Sequence, residues 1–151
     1  MIAGQKQACL AWRGTRRARL GVFRWVEHTA ELELEIEAPS QEAVFGEALA
    51  AFAELVGDGS GPRTTRELEV EAEEPALLLA EWLSELVYLA DAEQFVPERI
   101  ATLDLDDDRL RATVQGHLGE PRPLVKAVTL HRLEFRRDDT VGWRARVVLD
   151  V

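Results

Sequence analysis

Residues Glu74 to Gln94, EPALLLAEWLSELVYLADAEQ, constrain this chain more than any other stretch because they read as one long amphipathic helix. Leu79, Trp82, Leu83, Leu86, Leu89 and Ala90 recur three and four residues apart and make a broad apolar stripe. Glu81, Ser84, Glu85, Tyr88 and Asp91 fall on the other side, which must meet water. Pro75 suits a first helical position, where a missing N–H is no loss, and Glu73–Glu74 suit the positive end of the helix dipole. A stripe of this kind is a core element and carries no function by itself.

The rest of the chain supplies what covers it. Leu32, Leu34 and Ile36 alternate with Glu33, Glu35 and Glu37, the period of a strand with one wet face, and Trp25–Val26 read as a short strand before it. Ser40 offers an N-cap to a first helix marked by Phe45, Ala48, Leu49, Phe52, Leu55 and Val56, which stops at Gly57. The loop Gly57–Pro62 lacks the further acids of a calcium loop and reads as a turn. Leu68 and Val70 mark another strand. Leu103 to Val114 form a hairpin about Asp106–Asp107–Asp108, three acids that read as a solvated turn rather than a metal site. Leu124–Phe135 is apolar on both faces and is expected to be a central strand. Trp143, Ala145, Val147 and Leu149 alternate along a last strand. The expected fold is α+β, with two main helices packed on one face of a mostly antiparallel sheet.

Charge is unevenly spread over the 151 residues. Residues 1–24 hold Lys6, Arg13, Arg16, Arg17, Arg19 and Arg24 and no acid, so the remainder carries 12 basic against all 28 acidic residues. Such an acidic body repels phosphate and is a poor direct binder of nucleic acid; basic protein surfaces and metal cations suit it better. No run approaches the length of a membrane span. The one cysteine, Cys9, excludes an internal disulfide or multi-cysteine zinc site and accords with a cytoplasmic setting. Residues 1–23 form a basic N-terminal extension without a compact apolar core. They read as a disordered tail or a start assigned too early, ahead of an Arg-rich transit peptide. Residues 24–151 form the folded domain.

No self-sufficient active site is written in the sequence: G-x-S-x-G, P-loop and dinucleotide motifs are missing. His28 and His131 would approach each other if their strands paired, and with a carboxylate would suit zinc, yet no two histidines share ligand spacing. Glu31 stands where His28-Thr29-Ala30 passes into a strand. Asp150 breaks an apolar strand end beside the main-chain oxygens of Val151, which makes either a hard-oxygen site or a frayed, wet terminus. Lys126 is one of two lysines among 18 basic residues and falls in the expected central strand, where a compact ammonium or chance alone would account for it.

EHTAE at 27–31, EWLSELVYLADAEQF at 81–95, VKAVTLHRLEF at 125–135 and WRARVVLDV at 143–151 together resemble the archease family in order and spacing. The resemblance implies an α+β accessory protein, not an enzyme. Such a protein activates an RtcB-type RNA ligase in tRNA splicing or RNA repair, promoting ligase guanylylation with GTP and multiple turnover. It also implies a divalent metal ion, calcium foremost and magnesium or manganese next, with no nucleotide bound by the protein alone. Carried over by position, the metal side chains are Glu31 and Asp150 with the main chain of Val151, while His28, Lys126 and His131 fall on the same functional face. The family usually has aspartate at the position of Glu31 and glycine at that of Glu33. The competing expectations are a metal-independent, chaperone-like adaptor for an RNA-processing enzyme and a small metal-dependent hydrolase acting alone.

Overall fold

The computed structural model describes residues 21–57 and 59–151; Cys9, most of the basic extension and Asp58 lie outside the described residues. Seven strands and two helices follow in the order β1 (Val22–His28), β2 (Glu31–Ala38), α1 (Gln41–Val56), β3 (Arg63–Glu71), α2 (Pro75–Glu93), β4 (Phe95–Leu105), β5 (Arg109–Leu118), β6 (Ala127–Asp138) and β7 (Gly142–Asp150). The first strand thus begins two residues before the expected boundary, and Phe23 packs against the core.

The fold is α+β, as the patterning predicts, but its strands divide between two sheets instead of forming one. A four-stranded sheet has the order β1-β2-β7-β6 and a three-stranded sheet the order β3-β5-β4, with every pairing antiparallel. Both helices serve both sheets: α1 packs on β2 and β4, α2 on β6 and β3. Each helix starts where its sequence dictates. The Ser40 hydroxyl accepts the N–H of Ala43 at 3.1 Å, and Pro75 occupies the first turn of α2. Gly57 (φ 95°) ends α1, and Gln94 ends α2 in the left-handed region. At the centre, Trp82 is fully buried and its Nε1–H donates to the carbonyl of Phe45 at 3.1 Å. The Phe45 ring then meets Trp82 edge-on and Phe135 of β6 at 5.8 Å, joining both helices to the larger sheet.

The three aspartates are a hairpin turn. The N–H of Asp106 donates to Arg109 O, and the carbonyl of Asp108 accepts from Ala72.

β6 is an edge strand, contrary to the expectation of a central one. Its two-faced apolar pattern has another cause. Thr129 pairs with Val148 and Glu134 with Arg146, so residues 130–133 stand opposite Val147 alone. This odd insertion reverses the side-chain parity. Val128 before it and Phe135 after it both reach the helix side, although one is an even and the other an odd position. Leu130, in the bulge, is left 61% exposed.

Candidate metal centre

The larger sheet turns its Leu32–Leu34–Ile36 face to the helices and a charged face outward. Along the end of that outer face runs one row of cross-strand partners: His28 of β1, Glu31 of β2, Asp150 of β7 and Ala127 of β6. Directly opposed residues hold their Cβ atoms about 5 Å apart. Glu31 and Asp150, separated by more than a hundred positions in the chain, are therefore adjacent carboxylates, both half-buried.

The backbone fixes this row from three directions. Ala30 closes the β1–β2 turn with φ 61°, a left-handed conformation that a side chain disfavours. Its carbonyl accepts the N–H of Val151 at 3.2 Å. The Asp150 carbonyl accepts the N–H of Lys126 at 2.8 Å. The end of β7 is thus pinned to both neighbouring strands and is not the frayed terminus that the pattern also allowed.

Lys126 does not lie in a central strand: it is exposed, just before edge strand β6, with its main chain beside Asp150. His131 sits exposed in the β6 bulge, where its N–H donates to Thr129 Oγ1 at 3.2 Å. The strand pairing that would have brought His28 to His131 is not formed, because β2 and β7 stand between their strands. Among the described residues no three His, Cys, Asp or Glu side chains group to hold a metal, which leaves the zinc reading without a ligand set. The donor set at the row is two carboxylates with neighbouring main-chain oxygens. It is all oxygen, the chemistry that hard divalent cations take, and it fits calcium or magnesium.

Sequence reasoning marked Glu33 only as a departure from the family's glycine and missed the row it builds. Glu33 reads as one more glutamate of a wet face, yet it is 4% exposed. Its Oε1 accepts from the Arg132 guanidinium, and His28 Nε2 lies 3.3 Å from the same oxygen. Arg132 reaches it from the bulge, with φ 57°. Further along the face, Arg24 holds the Glu35 carboxyl below its usual range, and Arg146 donates to Glu134 at 2.8 Å. Arg144 donates to Asp138 at 2.7 Å and bonds Glu37 as well. Glutamate alternation signals a charged face, but nothing in it distinguishes the one carboxylate that becomes covered.

The comparisons with known proteins agree with this architecture. The profile of the Archease protein family (MTH1598/TM1083) matches residues 23–151. An archease of Pyrobaculum neutrophilum is 34% identical over 142 residues, covering 85% of this chain and 95% of its own. An archease of Archaeoglobus fulgidus is 31% identical over 136 residues, covering 85% and 98%. The solution structure of Methanobacterium thermoautotrophicum protein 1598 superposes with a TM-score of 0.64 at 30% identity, covering 85% of this chain and 98% of that one. A crystal structure of an archease, possible chaperone, from Thermotoga maritima gives 0.63 at 25% identity, covering 83% and 94%. With the family profile spanning every described strand and helix but the first residue of β1, this chain belongs to the archease family.

Proposed function

We propose that this protein is a cytoplasmic accessory protein, not itself an enzyme, that activates an RtcB-type RNA ligase in tRNA splicing or RNA repair. It does so through a divalent cation held by Glu31, Asp150 and the main chain of Val151. One observation carries the reading: family membership coincides with a Glu31–Asp150 pair opposed in register and pinned by Ala30 and Lys126. Such a cation, calcium foremost, would supply positive charge near the triphosphate of GTP while the ligase is guanylylated. The chain's own residues hold the two carboxylates in place, and its acidic body steers the protein toward a basic ligase surface rather than toward RNA. Lys126 and His131, exposed on β6 and the segment before it, belong to the face that meets the ligase.

The test is a ligation assay with limiting ligase from the same source, GTP, a divalent metal, and RNA fragments ending in 3′-phosphate and beginning with 5′-hydroxyl. Many turnovers and faster guanylylation are expected only when this protein is present, and Glu31→Ala and Asp150→Ala should remove the effect. Full stimulation by both variants would replace the metal role with that of a metal-independent adaptor. No stimulation of a demonstrably active ligase would end the activator reading.

A further inference from the structure

Val128 and Leu130 stand two residues apart on β6, and Val128 packs against the core. In a regular strand Leu130 would face the helices as well. The bulge turns it outward instead, to 61% exposure, before Leu133 and Phe135 pack against the core again. Three contacts fix this conformation. The His131 N–H donates to Thr129 Oγ1 at 3.2 Å, Arg146 Nε donates to the Arg132 carbonyl at 3.1 Å, and the Arg132 guanidinium pairs with Glu33. An edge-strand bulge that re-aims a side chain is a built feature, and an apolar group already held in place loses little freedom on docking.

The surroundings of Leu130 decide what covers it. Leu124, 43% exposed, is the other exposed leucine among the described residues. Both fall between Pro121 and Leu133, the longest run without an acid among those residues, which carries Arg122, Lys126, His131 and Arg132. Lys126 is the one lysine or arginine among the described residues whose side chain makes no hydrogen bond, ion pair or ring contact. A second copy meeting this patch about a two-fold axis would set its cations against their equals. RNA would be repelled by Glu31 and Asp150, because Leu130 lies only three residues, about 10 Å, along β6 from the cross-strand partner of Asp150. A protein surface that receives the carboxylate pair must cover this patch too. We propose that Leu130, flanked by Leu124, is the apolar anchor by which this protein docks on the RNA ligase, in an apolar pocket rimmed by carboxylates. The inference rests on the activator reading above and gives it a docking contact separate from the cation.

The experiment measures binding of the full chain to purified, active ligase by calorimetry without RNA, and repeats the ligation assay over a range of protein concentrations. Leu130→Ser should weaken binding about tenfold, the loss typical of an interface anchor. The concentration giving half-maximal stimulation should rise by the same factor while the maximal rate is kept; Glu31→Ala should lower the maximum instead. Leu124→Ser should act in the same direction with a smaller loss, and Leu130→Met, which conserves volume, should bind nearly as the unmodified chain does. Val22→Ser and Tyr88→Ser, at the other exposed large apolar side chains, should change neither quantity. All these apolar positions lie on the surface, where substitution leaves the fold standing. Unchanged affinity in both leucine variants would overturn the proposal. So would equal losses at Val22 and Tyr88, a Leu130 effect seen only with RNA present, or self-association of the unmodified protein that Leu130→Ser abolishes. Failure of the anchor alone shows as full binding and stimulation by Leu130→Ser. An active ligase that the unmodified protein neither binds nor stimulates ends the activator reading and the anchor with it.

Discussion

Glu31 and Asp150 face each other across the β2–β7 ladder, one at the start and the other at the end of its strand. A ligand that binds this pair only in the folded state must stabilise the fold. At a calcium concentration a hundred times the dissociation constant, the gain is about 2.7 kcal/mol. For a domain of this size that is a rise in Tm on the order of 8 °C. Thermal melts with and without calcium should show the rise in the unmodified protein and none in Asp150→Asn. Equal shifts in the two would remove the pair from the binding site.

Ala30 makes a second prediction, because it holds a left-handed backbone without being glycine. Its strain is worth roughly 1 kcal/mol or more, set against the added chain entropy of glycine in the unfolded state. Ala30→Gly should therefore be neutral or stabilising by about 1 kcal/mol in urea unfolding. Ala48→Gly, inside α1 and fully buried, should cost about 2 kcal/mol, roughly half from helix propensity and half from the buried methyl lost. A loss at Ala30 as well would show that the turn stores no strain.

The contrast between these two alanines also shows what the sequence could reveal. Ala48 lies in a periodic run whose helical conformation is dictated locally, as Ser40, Gly57, Pro75 and the stripe from Leu79 to Ala90 all announce. Ala30 looks no different, and its conformation follows from closing β1 onto β2 beside Val151. The same divide runs through the site. Alternation predicts that Glu31 and Asp150 end their strands, but which strands pair is a long-range choice, and only that choice puts the two together. Two-faced apolarity in Leu124–Phe135 suggested burial because a parity-reversing bulge and a buried strand leave the same pattern. Glu33 stood out only as a departure from the family's glycine; its burial could not be read from the sequence, since Arg132, ninety-nine residues away, pairs with it.

Trp82 tests the helix on which the fold is built. It fills the space between α1 and α2 and donates to Phe45 O, a carbonyl at the α1 side of the core. Trp82→Ala should cost about 3–5 kcal/mol through lost burial and the cavity left behind. Trp82→Phe keeps much of the volume and loses the hydrogen bond, for a cost of about 1–2 kcal/mol. Denaturant unfolding separates the two, and near-equal losses would assign the effect to the hydrogen bond rather than to packing.

Asp138 links the outer face to pH. The Arg144 guanidinium first, then the N–H groups of Val141 and Thr140, hold its carboxyl at about 2 against an ordinary 3.8. A carboxylate depressed in the folded state stabilises fully above its unfolded value, and that stabilisation disappears as pH falls through its folded value. The stability gap between the unmodified protein and Asp138→Asn should therefore be constant from pH 7 to about 5, then close between about pH 4 and pH 2. Arg144→Ala should abolish most of this pH dependence, since it removes the largest cause of the depression. Urea unfolding of the three proteins at intervals across this range is the measurement. A gap that stayed constant down to pH 2 would mean that the Asp138 carboxyl titrates alike in the folded and unfolded chain, and that its partners do not hold the charge.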